Sequence, residues 1–255
     1  MTAAIVTWLY NLGFFVKILK SVGGFIGRGG QAAYKILTMQ ILFTFFEALG
    51  ITTLLALGIG AAVQVIGMLT LAQFSQEALI YPLLITIITR ELGPLLIAFV
   101  IIARSATAIA TEIAGMVISH EIEAYISVGI DPIEYLAVPR FLGVTISVFL
   151  LNIFFSISGL AGSFVVAQIF LPMPAQVYFG NILLSFSLQD ITISIIKSIS
   201  FGMIISVVAL TRGLYVERSS TEIPIAGLKA VGASFGWCII ANILLSLLFY
   251  LAVGF

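Results

Sequence analysis

Long apolar runs separated by short polar ones set the pattern of this chain. From Thr44 to Gly67 nearly every position is hydrophobic, with Glu47 and Gln64 near the ends, and this run predicts a first membrane span. The next run, Leu79 to Ile118, is apolar over some 40 positions; at a helical rise of 1.5 Å that is about 60 Å, too long for one crossing of a hydrocarbon core about 30 Å thick. A break is expected around Arg90-Glu91-Leu92-Gly93-Pro94, because proline cannot continue the ladder of a preceding helix and the residue before it avoids helical angles. Span two is therefore predicted over Leu92–Val117, entered from a shorter apolar segment, Leu79–Thr89. Spans three, four and five are predicted over Phe141–Phe170, Ile191–Leu210 and Val231–Phe255. Between them lie a polar stretch Ser119–Arg140, a loop Leu171–Asp190 with Pro172 and Pro174, and a second polar loop Arg212–Lys229.

The first 35 residues or so follow a different pattern. Trp8, Leu9, Phe14, Phe15, Ile18, Leu19, Val22, Phe25 and Ile26 alternate with Lys17, Lys20, Arg28 and Lys35. A helix lying in the headgroup plane would bury the first set and leave the cations near anionic lipid. The pairs Gly23-Gly24 and Gly29-Gly30 are expected to break it into pieces. The alternative is a flexible basic tail.

Composition agrees with the membrane reading. The 255 residues are 61% hydrophobic and 9% charged, and mean hydropathy is +1.23, outside the range of soluble chains. In lipid every backbone group must be satisfied internally, so the spans are expected to be helices; the runs are too long and too uniformly apolar for barrel strands. Net charge is zero, which gives no reason to expect a nucleic-acid partner. The single cysteine, Cys238, lies in an apolar run and reads as a buried structural thiol, with no disulfide possible inside one chain. No short hydrophobic stretch with a small-residue cleavage site opens the sequence, so no cleaved signal peptide is expected.

Five spans place the two termini on opposite sides. With the N-terminus in the cytoplasm, Lys17, Lys20, Arg28, Lys35, Arg140, Arg212, Arg218 and Lys229 fall inside and only Arg90 falls outside, which is the orientation that cation bias selects. Ser119–Arg140 and Arg212–Lys229 then face the cytoplasm, and Leu171–Asp190 and the C-terminus face outward.

Ionisable groups within spans are costly, and so are functional candidates. Arg90 and Glu91 sit at the outer start of span two, and Lys197 lies roughly 9 Å below the outer start of span four. Together they suit an anionic headgroup in the outer half of the bilayer; the plainer alternative is a structural ion pair with a snorkelling lysine. Arg104 and Glu112, eight residues apart on span two among Ala103, Ser105, Ala106, Thr107, Ala108, Ala110, Thr111, Ala114 and Gly115, read instead as structural, since small residues let helices approach closely. The stretch His120–Val128 has the form of a short amphipathic helix. Ile122, Tyr125 and Ile126 would face one way and Glu121 and Glu123 the other, with Gly129 as C-cap before an Asp-Pro turn. Such a helix at the end of a span can transmit force from a soluble motor; the alternative is a solvated loop. His120 by itself carries little weight, and no metal site is expected. The chain lacks G-x-x-x-x-G-K-[ST], H-E-x-x-H and G-x-S-x-G, so ATP binding by a P-loop and the common hydrolase chemistries are not expected of it.

The runs RELGPLLIAFVIIARSATAIATEIAGM and HEIEAYISVGIDPIEYLAVPR, with KSISFGMIISVVALTRGLYV further on, resemble the MlaE/YrbE-type permeases of bacterial ABC transporters, which serve lipid-asymmetry and Mce systems and have a plastid envelope relative. The E-L-G-P and G-I-D-P-x-E-Y-L-x-x-P-R stretches are the specific ones. The resemblance implies an all-α integral membrane protein: an N-terminal interfacial helix over 1–40, a five-span core over 44–255, and a cytoplasmic coupling segment at 119–140 between spans two and three. It implies a non-catalytic homodimer in the bacterial inner membrane, with some Mce systems pairing two different permeases instead. Two copies of a cytoplasmic ATPase would bind ATP and Mg, this chain itself holding no cofactor. A periplasmic MCE-domain protein, and in some systems a small STAS-type accessory subunit, would complete the complex. Phospholipid or another hydrophobic substrate would pass between the membrane and the MCE protein. By position, His120, Glu121, Ile122, Glu123 and Tyr125 would seat on the ATPase, Arg90, Glu91 and Lys197 would lie near the outward lipid pocket, and Tyr81, Leu79 and Val65 would line it. Two rivals stand beside this reading: a secondary transporter driven by an ion gradient, against which the lack of internal repeats argues, and a purely structural scaffold.

Overall fold

Each apolar run folds as helix, and the helices reach well past the ends of the runs. A computed structural model describes residues 2–28, 31–76, 79–170, 173–217 and 219–253, with side chains described from residue 11 onward apart from 26–33 and 253. Eight helical elements follow in order: α1 (Thr2–Arg28), α2 (Gln31–Gln73), α3 (Ile80–Ile118), α4 (Glu121–Ser127), α5 (Ile133–Phe170), α6 (Ala175–Ser185), α7 (Leu188–Leu214) and α8 (Glu222–Val253). Of these, α2, α3, α5, α7 and α8 are long and apolar enough to cross a membrane. No strand occurs among the described residues.

Four expectations about boundaries are corrected. The helix does not break at Arg90–Pro94; Ile80–Ile118 is continuous. Ile85–Leu92 and Ile102–Ala106 are π-helical turns, and Pro94 sits in the first turn of the α-helical stretch Gly93–Ile101. The π register lets the Gly93 N–H reach the Ile88 carbonyl, five residues back, so the chain passes the proline ring without leaving the helix. Second, the expected outer loop contains α6. Its Tyr178 and Ile182, one turn apart, are both buried, and that apolar stripe folds the segment against the spans. Third, α8 starts at Glu222 rather than near Val231, because Ala226, Ala230, Ser234 and Cys238 form a buried stripe at four-residue spacing. Fourth, Gly23-Gly24 does not interrupt α1; Gly24 lies against Glu134, so packing outweighs the poor helix propensity of glycine. Gly29-Gly30 lies outside the described residues.

Within α1, Phe14, Ile18 and Phe25 are buried and Phe15 and Val22 partly so, while Leu19, Lys17 and Lys20 are exposed. The side chains of Trp8, Leu9, Ile26 and Arg28 lie outside the described residues. The buried set packs α1 against α7 and the start of α5, with Phe15 and Phe141 rings 6.1 Å apart.

Helix α3 lies centrally, packed by α2, α5, α7 and α8, and its Ile97, Ile101 and Ile102 are fully enclosed. The most extensive contact joins α2 to α5, and glycine makes it possible. A Cβ on Gly60 would stand 1.9 Å from the Gly159 carbonyl oxygen, and one on Gly162 would stand 2.6 Å from that of Leu57. The backbones touch directly, as small residues permit in lipid, where apolar association has no water to escape from. Gly60→Ala therefore cannot be absorbed by side-chain motion. It is expected to destabilise the protein by about 1–3 kcal/mol, the usual cost of overpacking, read as earlier unfolding in mixed micelles; an unchanged midpoint would mean that α2 and α5 are not in this contact.

Candidate functional site

Lys197 is the centre of a polar network inside otherwise apolar helices. Its side chain has no exposed surface, yet all three ammonium protons have acceptors: the Glu91 carboxylate at 2.6 Å, the Ser246 hydroxyl at 2.8 Å and the Arg90 carbonyl at 3.3 Å. The carbonyl is available because of Pro94. At the α spacing, the donor for Arg90 would be residue 94, which has no N–H. Thr89 has the same difficulty at the π spacing, and its carbonyl accepts from Ser194, one turn before Lys197 on α7. Helix α7 thus repairs the backbone of α3 where the proline leaves it short of donors. Ser194 is held in turn by Asn152 of α5 at 2.8 Å.

Arg90 completes the network. Its guanidinium lies 3.3 Å from Asp190 and 3.6 Å from Glu91, donates to the Tyr250 hydroxyl at 2.6 Å, and sits over the rings of Phe249 and Tyr250 at 5.2 and 5.1 Å. Arg90, Glu91 and Lys197, read from sequence as one patch, are brought together. Asp190, Ser246, Phe249 and Tyr250 were missed. For Asp190 a signal existed: Ser187-Leu-Gln-Asp190 is a capping box, with each side chain accepting the other's backbone N–H, and it marks the true start of α7. The residues from α8 carry no such mark.

Tyr81 and Val65 line a different place, a cavity of about 370 Å³ walled by α2, α3, α5 and α6. Leu79, half exposed, is not among its lining residues. The walls are mostly apolar, from Met68, Leu69, Ile80, Phe170 and Met173, with one polar end where the Tyr178 hydroxyl meets Gln64 at 3.2 Å and Ser163 at 2.9 Å. Burial pushes the Tyr178 hydroxyl up to about 12, so it stays a neutral donor at physiological pH. Tyr81 meets Tyr178 edge-on at 5.7 Å. Tyr81 and Arg90 stand nine residues apart on α3, about 13 Å along the axis.

Arg104 and Glu112 do not pair with each other. Arg104 holds Glu47 of α2 at 2.7 Å, and Glu112 holds Arg140 of α5 at 2.8 Å. No cluster of metal-ligating side chains occurs among the described residues.

The stretch His120–Val128 is helical over Glu121–Ser127, with none of those residues buried. Its entry turns on His120, at a left-handed φ of 61° and 2.8 Å from Glu123. Its exit is a Schellman motif: the Ile130 N–H bonds the Tyr125 carbonyl, the Gly129 N–H bonds that of Ile126, and Gly129 takes φ 80°. Asp131 then caps α5 by accepting from the Ile133 N–H at 2.9 Å. Ile122 and Tyr125 are partly covered, Tyr125 against Tyr135, but Ile126 is exposed rather than grouped with them.

Removing the ammonium tests the network. Lys197→Met removes the nearer of the two cations beside Glu91, leaving Arg90 at 3.6 Å, and is expected to lower stability by about 3 kcal/mol, the low end for a broken buried pair. Pairing it with Glu91→Gln should recover at least half of that loss. Micelle unfolding of the two variants checks this; a double variant no more stable than the single would show that the ion pair is not what holds α3 to α7.

The family profile described as Permease MlaE matches residues 37–248. A probable ABC transporter permease protein of Rickettsia conorii is 28% identical over 244 residues, covering 92% of this chain and 94% of that one. A probable ABC transporter permease protein of Synechocystis is 28% identical over 196 residues, 74% of each. The chloroplastic protein TRIGALACTOSYLDIACYLGLYCEROL 1 of Arabidopsis thaliana is 24% identical over 225 residues, 88% of this chain and 64% of that one. With five apolar helices in place and the match running from the start of α2 almost to the end of α8, the chain belongs to the MlaE permease family.

Proposed function

We propose that the chain is the membrane-spanning subunit of an ABC transporter that moves phospholipid, or a similarly hydrophobic substrate, between the inner membrane and a periplasmic MCE-domain protein. In this reading two copies form the permease, and ATP and Mg bind to a separate cytoplasmic ATPase, one per copy. A small STAS-type subunit is compatible with the same arrangement. The N-terminus and α4 face the cytoplasm, and α6 and the C-terminus face the periplasm. The lipid reading is supported by the plastid relative, named for a diacylglycerol glycolipid, and by the apolar cavity with its single polar end.

The observation that carries the reading is α4. It is an exposed helix of seven residues, anchored at one end by the left-handed His120 and at the other by Gly129 and Asp131, and joined without slack to α3 and α5. A helix so fixed moves only with its spans. Pressure on Glu121, Ile122, Glu123 and Tyr125 from an ATPase would be passed to α3, and along α3 to Arg90 and the cavity wall at Tyr81. Arg90, with Glu91 and Lys197 behind it, would receive the headgroup, while Val65, Tyr81 and neighbouring Leu79 would meet the acyl chains. Arg104 and Glu112 would serve the structure, tying α3 to α2 and α5.

Two variants test the two ends. Glu121→Lys or Glu123→Lys is expected to abolish co-purification of the ATPase while the spans stay folded; a complex that survives with full ATPase activity would remove α4 from its assigned role. Arg90→Gln, which removes the charge without adding a third carboxylate beside Glu91 and Asp190, is expected to cut ATP-driven lipid transfer to the MCE protein by at least about tenfold, the effect of losing one charge-assisted contact, with assembly intact. Transfer that continues without ATP hydrolysis would point instead to an ion gradient as the driving force.

A further inference from the structure

The two cations of the network differ in what they have left to offer. Lys197 has used all three of its N–H groups, so it has no vacancy for a ligand. Arg90 carries five N–H groups. Nη1 reaches Asp190 at 3.3 Å, Nη2 donates to Tyr250 at 2.6 Å, and Nε is buried without a hydrogen-bond partner, Glu91 Oε1 being 3.6 Å away. Two of the five are hydrogen-bonded, and the anion among those two partners is Asp190; on the headgroup reading of Arg90, on which this inference rests, it is Asp190 with which a phosphate competes.

Asp190 is loosely committed. Its Oδ1 contact to Arg90 and its Oδ2 contact to the Ser187 N–H are both 3.3 Å, longer than the 2.7–2.9 Å of a strong charge-assisted bond. It also has a second home. Asp190 lies in the first turn of α7, where unpaired backbone N–H groups and the helix dipole favour a carboxylate even without Arg90. The guanidinium is roofed by Phe249 and Tyr250, which limits water around it and strengthens any ionic contact it makes.

We infer that Asp190 is a placeholder and a specificity-determining residue: its carboxylate fills the Arg90 edge in the empty permease and yields it to the phosphate of an anionic lipid headgroup. A phosphate brings more acceptor oxygens than the single Oδ1 it replaces, and the released carboxylate remains stabilised at the N-terminus of α7. An uncharged headgroup has nothing with which to displace it. The site so built selects anionic lipids against neutral ones.

The test uses the full-length permease in nanodiscs, with fluorescent phosphatidylglycerol and fluorescent diacylglycerol as the two probes. Asp190→Asn keeps an acceptor for the Ser187 N–H but removes the charge. It is expected to tighten phosphatidylglycerol binding about tenfold, the equivalent of one charge-assisted hydrogen bond withdrawn from competition, and to leave diacylglycerol unchanged. Asp190→Ser, which keeps an uncharged side-chain oxygen in the first turn of α7, is expected to give the same gain and is the readout should the amide variant not fold. Arg90→Gln is expected to weaken phosphatidylglycerol binding, and the gain from Asp190→Asn should vanish in the double variant. If Arg90→Gln weakens binding but neither Asp190 variant tightens it, or if both lipids tighten alike, the placeholder is overturned and the headgroup site stands. If Arg90→Gln has no effect on phosphatidylglycerol, the headgroup site itself is wrong.

Discussion

An ammonium group with no exposed surface, set among apolar helices, is the constraint around which α3, α7 and α8 are arranged. Burying an unpaired charge costs many kcal/mol, so Lys197 can exist there only with its full complement of acceptors. Glu91 supplies the countercharge, Ser246 a hydroxyl, and Arg90 a backbone carbonyl. The last is the informative one. Pro94 deprives α3 of a donor next to its π turn, and the lysine that needs an acceptor meets the carbonyl that needs a donor. The proline, the π turn, Ser194 and Lys197 are thus one device, and it holds α3, α7 and α8 in fixed register.

Elsewhere the helices are held by shape. Gly60 against Gly159, Gly162 against Leu57, Gly202 against Thr145 and Gly213 against Ala110 bring backbones into direct contact at successive crossings. In lipid this is the available source of adhesion, because apolar side chains gain little by leaving one apolar neighbour for another. The ion pairs Arg104–Glu47 and Arg140–Glu112 supplement it. A bundle joined at α2–α5 by glycine contacts and at α3–α7–α8 by a polar network has two kinds of seam, one that tolerates no added atom and one that depends on matched charge.

The two seams bear differently on the proposed transport cycle. The cavity at Tyr81 and Val65 is bounded by α2 and α5, and the charge network by α7 and α8; α3 borders both. On that reading an impulse entering at α4 reaches the lipid's two ends through a single helix. One π turn of α3, Ile102–Ala106, falls between α4 and Arg90, and the other, Ile85–Leu92, carries Arg90 and Glu91 themselves; at both the backbone leaves the regular α spacing.

Much of this was legible in the order of residues. The five apolar runs named five spanning helices, since a run of that length in lipid has few other ways to satisfy its backbone. Gly129 and Asp131 announced the short helix between α3 and α5, because only certain residues take a positive φ or cap a helix start. Arg90, Glu91 and Lys197 were conspicuous as charges in apolar surroundings. What the sequence could not decide was partnership. Pro94 read as a break, because the lone chain offers no substitute donor; in the fold Ser194 and Lys197 provide one, and the helix goes on. Arg104 and Glu112, eight residues apart on one helix, went to Glu47 and Arg140 on others. Ser246 and Tyr250 had no mark of function until α8 laid the first against Lys197 and the second against Arg90. Periodicity and local capping are properties of a segment and survive in one dimension, whereas the choice of partner for a buried charge is made by whichever helix is packed beside it, and only the tertiary structure decides that.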